Sequence, residues 1–269
     1  MILRDIIAAK IAVEQKLENY RGAASTRDHL FQIDEALKIL ASKARFFDPQ
    51  ITFIPAASTA EYRFSQRAVF GRRILKPWTV YINGTPLRNC AGSGYGLWSL
   101  QELTSLNPRW QMATPGQPVA AAWYSGSKLR LHPAPTEEAI GEAASWISAE
   151  IIPGYWKADD SYAWDWADLL VGDAEEPAGL GGPEDTGASA FDLEAEPDIH
   201  EILHFALAQL AAIKASAPMA SGEEAWQRLT ALNGEVESLV DEIRREMSSS
   251  LTSWGSVQSV KRFPRWVGL

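Results

Sequence analysis

The sequence predicts an α+β fold: a helical bundle built from both chain ends, with an antiparallel β sandwich or barrel module inserted between them. Three observations predict it. Apolar residues recur at three- and four-residue spacing in four stretches, two near each end of the chain. Between them the period shortens to alternating runs punctuated by Gly, Asn and Pro. Helices with a single apolar face cannot bury it alone, so the two ends are expected to share one core. The expected organisation is 1–48 for the first half of the bundle, 49–155 for the β module and 156–196 for an acidic, aromatic-rich arm. Residues 197–250 complete the bundle, and 251–269 form an extended tail.

The first stripe, Leu3, Ile6, Ile7, Ile11, Val13 and Leu17, predicts a helix over 1–20 that Gly22 breaks. Ser25 and Asp28 are spaced for a capping box. After them Leu30, Ile33, Leu37, Leu40, Ala44 and Phe47 predict a second helix over 26–47, stopped by Asp48-Pro49. The runs 51–54, 62–64, 79–82, 85–87, 119–124, 128–131 and 145–152 read as a module of about six strands. Asn83-Gly84 suits the positive φ angles of a type I′ hairpin turn, and Pro86 places the return strand at a sheet edge. Residues 197–213, PDIHEILHFALAQLAAI, read as the clearest helix, with Asp198 as N-cap and Glu201 three residues on. A last helix is expected over 223–250, carrying Leu229, Val236, Val240 and Ile243.

Composition limits the function classes. No uninterrupted apolar run approaches the ~18 residues of a membrane span, and the N-terminus lacks a signal-peptide apolar core. A single cysteine, Cys90, excludes an intramolecular disulfide. The net charge is −9, and residues 157–201 hold 14 acids against one lysine. A whole-surface nucleic-acid binder needs a basic face, which this balance excludes. The acidic stretch is interleaved with Tyr162, Trp164 and Trp166, so it is expected to order against a partner rather than stay solvated. The tail ends in Lys261, Arg262, Phe263, Arg265 and Trp266. Cations and bulky aromatics without an acid make a docking segment, so these five residues, with Trp164 and Trp166, are the candidate partner-binding set.

One catalytic pattern is present. His200-Glu201-Ile202-Leu203-His204 matches H-E-x-x-H, which on a helix sets two imidazoles on one face to ligate zinc, beside a glutamate base. It resembles the gluzincin metallopeptidase pentapeptide, in which a glutamate on a following helix is the third ligand; Glu223 and Glu224 are spaced for that. Against it, His200 falls in the first helical turn after the arm, and Gly222-Glu223-Glu224-Ala225-Trp226 matches no third-ligand motif. The expectation adopted is that both histidines pack or hydrogen-bond at the helix start, with no metal, cofactor or catalytic residue. A zinc metallopeptidase is the alternative, and a carbohydrate-binding β module, suggested by Trp164-Asp165-Trp166, the second. No G-x-S-x-G elbow, P-loop or dinucleotide fingerprint occurs.

The layout resembles the head-to-tail adaptor, or connector, proteins of short-tailed bacteriophages. Four stretches carry the resemblance. Residues 26–47 are similar to their early helix. Val80-Tyr81-Ile82-Asn83-Gly84-Thr85-Pro86-Leu87 resembles their β-module hairpin. Leu129-Arg130-Leu131-His132-Pro133-Ala134-Pro135 resembles their L-x-L-x-P-x-P segment. Residues 199–210 resemble the helix after the β module, where a histidine precedes apolar and alanine-rich positions. The resemblance covers about half of the chain, and the acidic arm departs from it. It implies a non-enzymatic virion protein assembled in the bacterial host cytoplasm. That protein forms a homo-oligomeric ring, twelve-fold in the family, between the portal and the tail or nozzle proteins. It also implies passing contact with packaged DNA and no membrane partner.

Overall fold

A computed structural model of the chain describes residues 1–17, 24–87, 97–106, 108–125, 127–141, 143–171, 191–220 and 222–253. Their helices are α1 (Leu3–Lys16), α2 (Thr26–Ala44), α3 (Leu100–Leu106), α4 (Glu137–Ile140), α5 (Ile202–Ser216) and α6 (Glu223–Ser253). The strands are β1 (Phe47–Phe53), β2 (Glu61–Arg63), β3 (Arg73–Ile82), β4 (Thr85–Pro86), β5 (Trp98–Ser99) and β6 (Ala120–Tyr124). They continue with β7 (Lys128–His132), β8 (Ser145–Ile152), β9 (Tyr155–Trp156), β10 (Tyr162–Ala163) and β11 (Glu196–Pro197). The chain divides into two units. One joins Met1–Ala44 to Pro153–Leu269, and the other is Arg45–Ile152. The fold is α+β, with the helical bundle drawn from both chain ends and the β unit inserted between them.

In the helical unit α1, α2 and α6 all pack on α5. That central position explains the composition of α5. Leu203, Ala206, Leu207, Ala208, Ala211 and Ala212 are wholly buried, and the alanines let three neighbours approach closely. Residues Ile202–Met219 reach the length and mean hydropathy of a membrane span, although His204, Gln209 and Lys214 interrupt the apolar run. Here the same composition serves a helix surrounded by other helices. The start of α1 has no side-chain cap. Its first amides are satisfied across the chain instead, Leu3 N donating to Ala195 O at 2.9 Å and Arg4 N to Leu193 O at 3.1 Å. For α2 the capping box forms as expected: Ser25 N donates to Asp28 Oδ2 at 3.0 Å, and Asp28 N to Ser25 Oγ at 3.2 Å. It ends at Ala44 rather than Phe47, because Arg45 adopts φ 58° and turns the chain into β1.

The β unit holds two four-stranded sheets, ordered β1-β8-β3-β4 and β2-β7-β6-β5, one of them curled as a half-barrel. Pairing is antiparallel except between β5 and β6, which run parallel. Register shifts in β1 after Asp48, and in β3 after Ile74 and Pro77, supply curvature. The expected hairpin turn is present, with Asn83 at φ 50° and Gly84 at φ 72°, and β4 with Pro86 lies at a sheet edge. Alternation in β8 sends Ile147, Ala149 and Ile151 into the core beside Ile51, Phe53, Val80 and Ile82. Phe53 stacks on Phe70 at 5.4 Å and meets Tyr62 edge-on at 5.1 Å, which ties β1 to β2.

Candidate docking surfaces and the histidine cluster

The described parts of the expected arm are not an arm. β9, β10 and β11 make a three-stranded antiparallel sheet within the helical unit. Tyr155 is fully buried, and its hydroxyl donates to Asp34 Oδ1 at 3.3 Å; Lys38 lies 3.2 Å from the other Asp34 oxygen. Trp156 Nε1 donates to Asp198 Oδ1 at 3.0 Å. Four of the segment's fourteen acids accept from backbone amides. Asp159 accepts from Ser161 N, Asp165 from Ala167 N, Asp168 from Trp164 N, and Asp192 from both Ala158 N and Glu194 N. Such side-chain-to-backbone bonds are what Asp supplies in turns, so these four carboxylates help build the fold. Asp192 N donates to Leu169 O at 2.8 Å, and Leu170 bridges Phe191.

Of the expected partner-binding tryptophans, Trp166 is half-buried against its own unit. It meets Phe31 edge-on at 6.3 Å and Phe191 at 6.4 Å, and the Arg27 guanidinium lies 5.4 Å over its ring. Phe31 is 50% exposed. The group is thus a packed aromatic cluster whose outer rim reaches solvent. Trp164 is half-buried, its amide held by Asp168 at 2.9 Å. Lys261, Arg262, Phe263, Arg265 and Trp266 lie outside the described residues, as does Cys90.

The H-E-x-x-H stretch does not form on one helix. α5 begins at Ile202, so His200 stands before it, accepting at Nδ1 from Ile202 N at 3.3 Å. The expected caps fail for a visible reason: Asp198 serves Trp156, and neither it nor Glu201 caps the helix. His204 is buried within α5, its Nδ1 2.8 Å from the Met1 amino group, which also donates to Glu196 Oε1 at 2.8 Å. Glu201 is exposed, Glu223 accepts from Gln227, and Glu224 pairs with Arg228 at 2.7 Å. Among the described residues no three His, Cys, Asp or Glu side chains gather as a metal-holding group.

Three histidines share one electrostatic trait. Burial lowers the pKa of His204, and the Met1 ammonium lowers it further. Burial and then Lys10 lower that of His29; burial and then Arg130 lower that of His132. Each therefore binds its proton less readily folded than unfolded, where the ordinary value is 6.5. The stability they contribute is present above pH 6.5 and is lost as pH falls through the depressed folded values. Melting temperature should begin to fall just below that pH, before carboxylates titrate, and His204→Gln should flatten part of the slope. A melting temperature flat down to about pH 5 contradicts this.

A second surface was not anticipated. On β8 the residues facing away from the β core are Trp146, Ser148 and Glu150. Trp146 stacks on Tyr81 at 4.7 Å. Glu150 sits opposite Phe47 on β1 and Lys76 on β3. Phe47 meets Trp78 edge-on at 6.1 Å, and Lys76 Nζ lies 5.5 Å from the Trp78 ring centre. Glu150 is 8% exposed as a whole residue. Trp78 beside it is 50% exposed. The signal was readable in the alternation of Ser145-Trp146-Ile147-Ser148-Ala149-Glu150-Ile151, which sets a carboxylate on the tryptophan face.

Compared with known proteins, the chain matches no family model and no curated protein.

Proposed function

We propose that the chain is a non-enzymatic structural virion protein, a ring-forming head-to-tail adaptor joining the portal of a bacteriophage to its tail. The observation that carries this reading is the bundle itself. Both chain ends pack around α5, the helix that follows the β unit, which is the element order of the adaptors that the sequence resembles. The histidines of the H-E-x-x-H stretch have packing roles in that bundle, which favours the structural reading over a zinc peptidase.

The long helix α6 adds support. At 31 residues it is about 46 Å long, against about 22 Å for α5 with 15. Its buried positions Leu229, Val236, Val240 and Ile243 form one stripe.

Native mass spectrometry and negative-stain electron microscopy of the purified chain test the proposal. They should be run alone and with the portal ring encoded by the same genome. Closed rings of one stoichiometry, seated coaxially on the portal, are the expected outcome. Deleting 260–269 should leave the melting of the isolated subunit unchanged and abolish seating. A chain that stays monomeric and ignores the portal ring overturns the reading.

A further inference from the structure

We infer that the Met1 amino group, His204 Nδ1 and Glu196 Oε1 form a site for one copper(II) ion. Three distances define it. The amine nitrogen lies 2.8 Å from the imidazole nitrogen and 2.8 Å from the carboxylate oxygen, and those two are 3.9 Å apart. A triangle with these sides is nearly right-angled. A point near the middle of its longest side is therefore about 2.0 Å from all three corners, the length of a bond from such an ion to nitrogen or oxygen. An ion there has the amine at about 90° to each of the other donors, which face each other across it. These are three corners of a square plane. Met1 and Glu196 both reach solvent, so an ion can enter and a water can take the fourth corner. Square-planar nitrogen and oxygen donors suit copper(II) and nickel(II), and copper(II) binds the more tightly. Zinc prefers a tetrahedron, whose corners at this bond length stand about 3.3 Å apart, a spacing that none of these pairs has. His200 and Glu201 take no part, so this is not the zinc arrangement of the H-E-x-x-H pattern.

The fold holds all three donors in place before any ion arrives. Leu3 N and Arg4 N donate to Ala195 O and Leu193 O, which pins the start of the chain beside Glu196. Glu196 is itself fixed opposite Trp156 in the ladder of β9 and β11. His204 is fully buried in α5. An ammonium can only donate, so Nδ1 accepts from it, the ring proton sits on Nε2, and Nδ1 carries the lone pair that a metal needs. The carbonyls of Pro197 and Ile199 approach the ring, yet Nε2 is buried without a hydrogen-bond partner. An apolar side chain would avoid that cost in the core, and what the imidazole supplies instead is the nitrogen facing the amine. Binding is a simple exchange. The amine gives one proton to solvent, and its freed lone pair takes the ion, whose charge the Glu196 carboxylate partly offsets.

The test uses the full chain beginning at Met1, stripped of metal, at pH 7.5 in a buffer that does not coordinate copper. Isothermal titration with copper(II) should show one tight site per chain, and zinc should bind about tenfold more weakly or worse. Loss of an outer-shell partner alone weakens metal sites about 10- to 100-fold, so His204→Gln, which removes a ligand, should weaken this one about a hundredfold or more. Placing Gly-Ser ahead of Met1 turns the amine into an amide. It should weaken the site by a similar factor without altering the buried core, which keeps the test open if His204→Gln folds poorly. Glu196→Gln, at the surface, should weaken it about tenfold or more. Electron paramagnetic resonance should show a tetragonal copper(II) signal coupled to two nitrogens. Labelling with nitrogen-15 methionine should change that coupling, because Met1 alone among the four methionines carries an amine. Copper(II) held equally well by the extended chain, a signal that labelled methionine leaves unchanged, zinc bound more tightly, or no copper(II) bound at all would each overturn the inference. Ring formation does not depend on this site, so none of these results decides the adaptor reading.

Discussion

Replacing Glu14 by leucine should cost the helical unit about 3–5 kcal/mol, the loss expected when one member of a buried ion pair is removed. Lys10 is fully buried on α1, and its ammonium donates to Glu14 Oε1 at 2.7 Å and lies 3.0 Å from His29 Nδ1 on α2. Without Glu14 the ammonium keeps one neutral imidazole acceptor and no counter-charge. Removing both charges is a different matter. In Lys10→Met/Glu14→Leu neither charge of the pair is left, and the double variant should recover most of the loss. The His29 nitrogen that loses its donor accounts for about 1–3 kcal/mol of what remains. Urea unfolding at pH 7.5 reads the three variants, with equal slopes required so that midpoints compare. A Glu14→Leu variant within about 1 kcal/mol of the parent would mean that water reaches the pair. A double variant as unstable as the single would mean that packing, not charge, holds the site.

That pair also shows where sequence reading stops. Lys10 and Glu14 stand four residues apart among the apolar residues of α1, a spacing that reads equally well as a solvated pair on a helix surface. Only the packing of α1 on α5 and the position of His29 on α2 turn that face inward. Local chemistry was legible where it stays local. The Ser25–Asp28 box needs no distant partner, the Asn83-Gly84 turn follows from the positive φ angles its residues accept, and both formed where the sequence placed them. Asp198 failed as a cap because its carboxylate is claimed by Trp156 from 42 residues away. Phe47 fitted the helical stripe of α2 but lies in β1, since Arg45 reverses the backbone first. The acidity of 157–201 misled for a related reason. Charge counting sees repulsion, whereas Asp165, Asp168 and Asp192 each hold nearby amides in place. The neighbours of Trp166 were not legible, because Phe31 and Arg27 come from the other end of the chain.

Truncating the centre of α5 should be about as damaging as breaking the ion pair, and enlarging it should damage by a separate route. Leu207 is fully buried on the helix that α1, α2 and α6 share. Leu207→Ala removes its contacts and leaves a cavity that those helices close only in part, for a loss of about 2–5 kcal/mol. Ala211, one turn later and equally buried, marks a place of close helix approach. Ala211→Leu inserts three carbons there and should cost about 1–3 kcal/mol through displaced neighbours rather than lost burial. Hydrogen exchange separates the two. The cavity variant should raise exchange throughout the bundle, since it lowers global stability, while the enlarged variant should concentrate it in whichever of α1, α2 or α6 moves aside. Because both chain ends contribute to this core, amides in α1 and in α6 should respond together to Leu207→Ala. If α6 exchanges faster while α1 and α2 keep their protection, the two ends do not fold as one cooperative bundle.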